Sequence, residues 1–335
     1  MIRRICLILM ISLLISTGFV RGAEVREPAV AGSFYPASAD QLRKMIEGFL
    51  KKAKIKRIEG DPVALILPHA GYIFSGGVAA YAFKAIEGFD MVQGSRFGAR
   101  GSGFDVVIIG PSHHASFPGA SVYDGKAYRT PLGEVPIDRD VVRKLLEIDN
   151  TIRFYPSAHA REHSIEVVLP FLQMTLKGFK IVPILMYDFS PDNCKRLSDA
   201  LIKALKGRKA LLVASSDMSH YPSYEDARKV DGETIKAVKS LNPEAVRQNE
   251  LRWMKAGVKE LYCTLCGLGP VVTVMETAKR MGADSVKVLK YANSGDVPYG
   301  GKSRVVGYMA AVIYRQPPLH SRIKAKKEVA GDADI

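Results

Sequence analysis

Imidazoles gathered at the ends of apolar runs are the residues of this chain best suited to chemistry. Six of its seven histidines fall in four short clusters. Three clusters follow runs that read as buried strands: Pro68-His69-Ala70-Gly71-Tyr72 after Val63 to Leu67, Gly110-Pro111-Ser112-His113-His114 after Asp105 to Ile109, and Ser215-Ser216-Asp217-Met218-Ser219-His220 after Ala210 to Ala214. The fourth sets His159 with His163 and Glu166 at the opening of an expected helix. His320, the seventh, lies in a polar tail and is left aside. A single histidine after a strand is often only hydrogen-bonded in its loop. Three such motifs are harder to explain by packing, because the carboxyl ends of neighbouring parallel strands are where distant residues converge.

His69 and His113 occupy equivalent strand-end positions, and two imidazoles suit iron, copper or zinc if a third ligand completes an open site. Cys266 is the expected third ligand. Gly267 and Pro270 suggest a tight turn at a helix start, where the helix dipole is expected to lower the thiol pKa and supply a thiolate. His220 is the expected acid/base, with Asp217 three residues earlier orienting it; a helix-entry histidine capped by Asp217 is the competing reading. His163 and Glu166, at i and i+3, are expected on one helical face as partners of a ligand, with a simple surface pair the competing reading. His114 is expected to point away from His113, and with Tyr72, His163 and Glu166 it makes up the expected surroundings of the metal or the substrate contact. Ser112, Ser215, Ser216 and Ser219 lie near histidines, but no Gly-x-Ser-x-Gly elbow occurs, which argues against a serine hydrolase. Glu162-His163 is not followed by the second histidine of a zinc-hydrolase helix.

These residues need a scaffold that alternates strands and helices. Ser38-Ala39-Asp40-Gln41 has the form of a capping box opening an amphipathic helix through Leu42, Ile46 and Leu50. Helices are also expected from about Gly77 to Ile86, from Asp138 to Ile148, from Glu162 to Met174 with Pro170 an irregularity, through a long region from Tyr224 to about Leu261, and from Gly267 to Met281. Lys180 to Met186 is a further apolar run, and Ser285 to Tyr291 and Val305 to Tyr314 read as closing strands. The Gly-rich stretch Gly94 to Gly103 reads as a loop without a phosphate-binding pattern. The expected fold is therefore α/β, a single domain with a central, mostly parallel sheet flanked by helices.

At 335 residues and 47% hydrophobic, the chain can bury a large core. Domain assignment gives a signal peptide or membrane anchor over 1–23, the α/β domain over 24–316 and a polar tail over 317–335. The first segment joins a basic start, Met1-Ile2-Arg3-Arg4, to an apolar stretch from Ile5 to Val20, short for a spanning helix. Export to a periplasmic or extracellular space, or attachment to a membrane through this segment, is expected; a cytoplasmic location is the alternative. The net charge is +14, and discounting Arg3, Arg4 and Arg21 leaves +11, scattered without an aromatic-plus-basic stripe. A nucleic-acid partner is not expected. After the signal three cysteines remain, Cys194, Cys263 and Cys266. In an oxidising compartment a Cys263–Cys266 disulfide would compete with metal binding by Cys266.

The histidine motifs, together with Glu162-His163-Ser164-Ile165-Glu166, Cys266-Gly267-x-x-Pro270 and Ala31-Gly32-Ser33-Phe34-Tyr35, resemble the Memo family from about Arg26 to about Tyr314. The resemblance implies the α/β fold of the class III extradiol, LigB-type dioxygenases. It matches His69, His113 and Cys266 to the family's metal ligands and His220 to the dioxygenase acid/base. It implies Fe(II) or Cu, one per chain, with Zn less suited. A carboxylate completes the dioxygenase site where Cys266 stands here, so ring cleavage does not transfer. Animal members are linked to motility, phosphopeptide binding and metal redox chemistry; microbial ones are usually named as protein B of the AmmeMemoRadiSam system. The leading expectation is an iron- or copper-dependent oxidoreductase acting on a small molecule, phenolic by fold analogy. The alternatives are a non-catalytic module that binds metal, or an acidic or phosphorylated peptide, in the same cleft, and then a zinc metallohydrolase.

Overall fold

The structure is a computed structural model that describes residues 24–56, 58–87 and 104–317. The expected signal segment, the Gly94 to Gly103 loop and all but the first residue of the tail lie outside the described residues. In chain order the elements are β1 (Val25–Arg26), α1 (Ala39–Lys52), β2 (Asp61–Leu67), α2 (Tyr72–Ile86), β3 (Phe104–Pro111), β4 (Ala120–Val122), β5 (Ala127–Thr130), β6 (Gly133–Pro136), α3 (Arg139–Ile148), β7 (Ile152–Arg153), α4 (Pro156–Ala160), α5 (Leu169–Thr175), β8 (Phe179–Met186), α6 (Pro191–Ala204), β9 (Ala210–Ser215), α7 (Tyr224–Lys239), α8 (Pro243–Lys255), α9 (Leu268–Arg280), β10 (Ser285–Asn293) and β11 (Gly307–Arg315).

Eight strands form one sheet in the order β10-β11-β2-β9-β3-β8-β4-β7. The central four, β2, β9, β3 and β8, run parallel. β11 and β10 extend one edge antiparallel, and β4 runs antiparallel to β8 at the other. The strands read from apolar runs are these central four. Val106 to Ile109 and Leu211 to Ala214 are fully buried along their length, as a strand covered on both faces requires. α2 packs over β11, β10 and β2 with α1 and α5 against it, while α9 packs over β9, β2 and β3 with α6 and α8 against it. A second sheet, β1-β5-β6, ties the start of the described chain to the domain. The protein is thus a single α/β domain with a mixed, mostly parallel sheet. Among the described residues no helix is long and apolar enough to cross a membrane.

Several boundaries differ from expectation for identifiable reasons. α2 starts at Tyr72, five residues before Gly77, because Tyr72 N–H is held by the Phe34 carbonyl at 2.8 Å and the packing of the helix outweighs two interior glycines. Ser38 does cap α1 by position, but its side chain makes no capping hydrogen bond. The region from Tyr224 to Leu261 is two helices: Leu241 adopts φ +50, and Asn242-Pro243 starts α8, Asn242 accepting from Glu244 N–H at 3.1 Å. Helix also starts later than Glu162. A 3₁₀ turn over Glu166–Val168 leads into α5, where Pro170 stands in the first turn and breaks nothing.

Candidate functional site

The loops after β2, β3 and β9 are neighbours at one edge of the sheet, since β9 lies between the other two. His69, leaving β2, is 1% exposed. Its Nδ1 is 2.9 Å from Ser215 Oγ at the end of β9. The single Ser215 hydroxyl proton goes to the Ser164 carbonyl at 2.5 Å, so Ser215 accepts from His69 Nδ1–H. That leaves Nε2 of the neutral ring with an open lone pair. His113, leaving β3, is arranged alike: Nδ1 donates to Glu162 Oε1 at 2.9 Å, and its backbone N–H donates to Glu162 Oε2 at 2.6 Å. Two imidazoles pinned at Nδ1 by oxygen acceptors, with Nε2 turned to the site, are the donor set expected of metal ligands.

The loop from Glu162 to Ser164 delivers His163 between them. Ser164 Oγ donates to the Pro111 carbonyl at 2.9 Å, and a Cβ at Gly110 would stand 2.5 Å from Ser164 Oγ, so this approach requires glycine there. Ligand atoms of His69, His113 and His163 lie within 4.8 Å of one another. Burial, with the charges of His163, His113 and His220, pushes the His69 pKa well below its ordinary value. Burial also lowers His163, to about 4, against the raising influence of Glu162. Glu162 is buried, which would raise it, but hydrogen bonding and charge from His113, and the charge of His163, hold its carboxyl at about 2. It stands as a carboxylate.

Cys266 comes from the turn before α9. Its Sγ is 3.3 Å from His69 Nε2 and accepts from Asp217 N–H at 3.3 Å, but it is outside the group of three imidazoles. Gly267 allows the turn to press on β9, since a Cβ there would meet the Ser215 carbonyl at 2.6 Å. The expected thiolate is not what this turn makes: burial first, then Asp217 and Cys263, raise the Cys266 pKa well above its ordinary value. The dipole of α9 does not offset burial. The group is a thiol, which donates to the bare His69 Nε2. Cys263 and Cys266 are both free, so the competing disulfide is not formed.

His220 and Asp217 do not form the expected pair. Asp217 Oδ1 accepts from the backbone N–H groups of His69 at 2.8 Å and Ala70 at 3.3 Å, so it shapes the turn that presents His69. His220 Nδ1 donates to the Met218 carbonyl at 2.9 Å, which leaves Nε2 as the acceptor. The following residue, Tyr221, adopts φ +72, a left-handed conformation that costs a non-glycine residue about 1 kcal/mol. Tyr72 is buried behind the loop, its hydroxyl donating to the Val167 carbonyl at 2.7 Å. His114 is exposed, and its ring stands edge-on to His163 with centroids 6.2 Å apart.

Glu166 faces the other way. Its carboxylate accepts from Arg26, the Tyr35 hydroxyl, and Ala29 N–H at 2.7 Å and Val30 N–H at 3.0 Å. Buried Arg26 also donates to the Glu162 carbonyl and, through Nε, to the His159 carbonyl at 3.1 Å. His159 is not beside His163 but sealed under this network, with Nε2 at 2.9 Å from Ser121 Oγ and Nδ1 at 2.8 Å from the Tyr128 hydroxyl. Sequence reasoning missed Arg26, Glu162, Ser164 and Ser215 as holders of the site. Glu162 and Ser164 flank His163 in one motif, and Ser215 closes a strand just before Asp217, so position alone marked them.

Fold and site define an α/β protein whose imidazoles converge at the carboxyl edge of a mostly parallel sheet. The profile of the Memo-like protein family matches residues 26–312, and the chain belongs to the Memo family. It is 39% identical over 298 residues to a MEMO1 family protein of Aquifex aeolicus, covering 86% of this chain and 98% of the relative. To a MEMO1 family protein of Methanocaldococcus jannaschii it is 35% identical over 303 residues, covering 87% and 99%. The crystal structure of an uncharacterized protein from Escherichia coli K12 aligns over 74% of this chain and 99% of its own with 13% identity and a TM-score of 0.44, too weak a likeness to bear on the fold.

Proposed function

We propose that this Memo-family protein is a metal-dependent oxidoreductase that holds one iron or copper ion through His69, His113 and Cys266, with His163 in reach. The observation that carries the reading is the pair of Nε2 atoms turned to the site when Ser215 and Glu162 engage Nδ1 of His69 and His113. Burial keeps the His69 ring neutral, which spares the ion the work of displacing a proton there. Cys266 differs: its S–H···Nε2 contact is a proton that a cation can replace. Iron or copper bound there would supply Lewis-acid and one-electron chemistry. His220 receives a proton from a bound substrate at Nε2, because Nδ1–H is committed to Met218.

The test is elemental analysis with electron paramagnetic resonance on anaerobically purified protein, beside His69→Ala, His113→Ala and Cys266→Ala. Near-stoichiometric iron or copper is expected in the parent, lost in both histidine variants while the fold persists, with an altered spectrum in the cysteine variant. Metal retained in both histidine variants overturns the reading.

A second reading, a cleft that binds an acidic or phosphorylated peptide without turnover, is favoured by the rim next to His220. Tyr221 and Tyr262 are exposed there with ring centroids 6.5 Å apart, and the Arg304 guanidinium lies 4.8 Å over Tyr221. Unchanged peptide affinity in His220→Ala, with no oxidation of phenols by the iron-loaded protein, would select it.

A further inference from the structure

We infer that the mouth of the site carries a second, weaker transition-metal position formed by His114, His163 and Glu162, through which ions reach buried His69 and its partners. The inference rests on the reading that His69 and His113 hold a metal. His163 is common to two groups: ligand atoms of His69, His113 and His163 lie within 4.8 Å of one another, and so do those of His114, Glu162 and His163. Only His69 is buried among the four imidazoles; His163 is half-buried and His113 and His114 are both exposed, so the first group reaches inward through His69 and the second lies toward solvent through His114, with buried Glu162 beneath it.

The donor chemistry ranks the two positions. Glu162 Oε1 already accepts from His113 Nδ1 at 2.9 Å, His163 N–H at 2.9 Å and Ser164 N–H at 2.8 Å. Oε2 accepts only from His113 N–H at 2.6 Å and keeps a lone pair. The outer position therefore offers two imidazoles and one partly committed oxygen, and His114 must give up side-chain freedom to take part. The inner residues are already fixed, with Nδ1 of His69 and His113 held by Ser215 and Glu162. The outer position is the weaker of the two for that reason. Because His163 serves both, a change of partners from His114 to His69 and His113 never leaves it without a second imidazole nearby.

The experiment uses Zn(II) alone, delivered from a chromophoric chelator, on the full chain, His114→Ala and His69→Ala. Stoichiometry and affinity come from competition titration and uptake rate from stopped flow. The parent should take up two equivalents, one tight and one weak. His114→Ala, an exposed change that does not threaten the fold, should keep the tight equivalent, weaken the other at least about tenfold as loss of a coordinating partner does, and load the inner position several-fold more slowly. His69→Ala should lose the tight equivalent and keep the weak one. A single tight equivalent in the parent, with His114→Ala titrating and loading identically, overturns this inference and leaves the metal reading intact. No zinc uptake by the parent overturns both.

Discussion

His69 and His159 are equally buried imidazoles, 1% and 0% exposed, and in both a hydroxyl engages Nδ1. They part at the second nitrogen. In His159 Nε2 meets the Ser121 hydroxyl, so both nitrogens are used by groups that cannot leave. In His69 Nε2 meets the Cys266 thiol, whose proton a cation would replace in the proposed metal site. Burial alone therefore does not distinguish the two histidines; the partner of the second nitrogen does. Arg26 joins the two regions, with Nε on the His159 carbonyl and Nη2 on the Glu162 carbonyl.

Arg26→Met is the strongest way to break the comparison. It strands the Glu166 carboxylate in the interior, and a loss of about 3–5 kcal/mol is expected in urea unfolding. Metal affinity should fall with it, by about 10- to 100-fold, because Glu162 loses the group that holds its backbone. Arg26→Lys keeps the charge without the fork and should recover part of the stability and less of the affinity. Unchanged affinity in Arg26→Met would mean that the two regions are independent.

His159→Ala sharpens the contrast. It leaves the Tyr128 and Ser121 hydroxyls without their partner and opens a cavity, at a cost of about 3 kcal/mol, while metal stoichiometry per folded chain should not change. Metal loss in this variant would place His159 in the functional site after all.

Per pH unit, the smallest effect is in pH dependence. Burial lowers His159 from 6.5 to about 3, and His163 from 6.5 to about 4. Between these values the unfolded chain binds more protons than the folded one, so stability falls as pH drops below 6.5, by about 1.4 kcal/mol per pH unit for each group. The contribution is fully present above pH 6.5. His159→Ala should remove its own share of the slope in metal-free protein. An identical slope in parent and variant would show that His159 titrates normally.

Much of the frame was legible in the sequence. The central strands announce themselves because strands covered on both faces must be apolar throughout, and Asp138 caps α3 as its position suggests, accepting from Asp140 N–H at 3.1 Å and Val141 N–H at 3.0 Å. The break at Asn242-Pro243 was also readable, since a residue before proline leaves the helical region. β4 to β7 and α4 are too short to leave a periodic signal.

Local sequence alone determined that His69, His113 and Asp217 would stand just beyond strand ends, because apolar runs and the polar residues that end them are properties of neighbours in the chain. Only the tertiary structure decided which of them meet. β9 inserts between β2 and β3, so Asp217 reaches the backbone of His69 and not the ring of His220, and the loop of His163 lodges between β3 and β9. Hydrogen-bond partners 49 to 148 residues apart set each tautomer and each turn, and no window along the chain contains both members of such a pair.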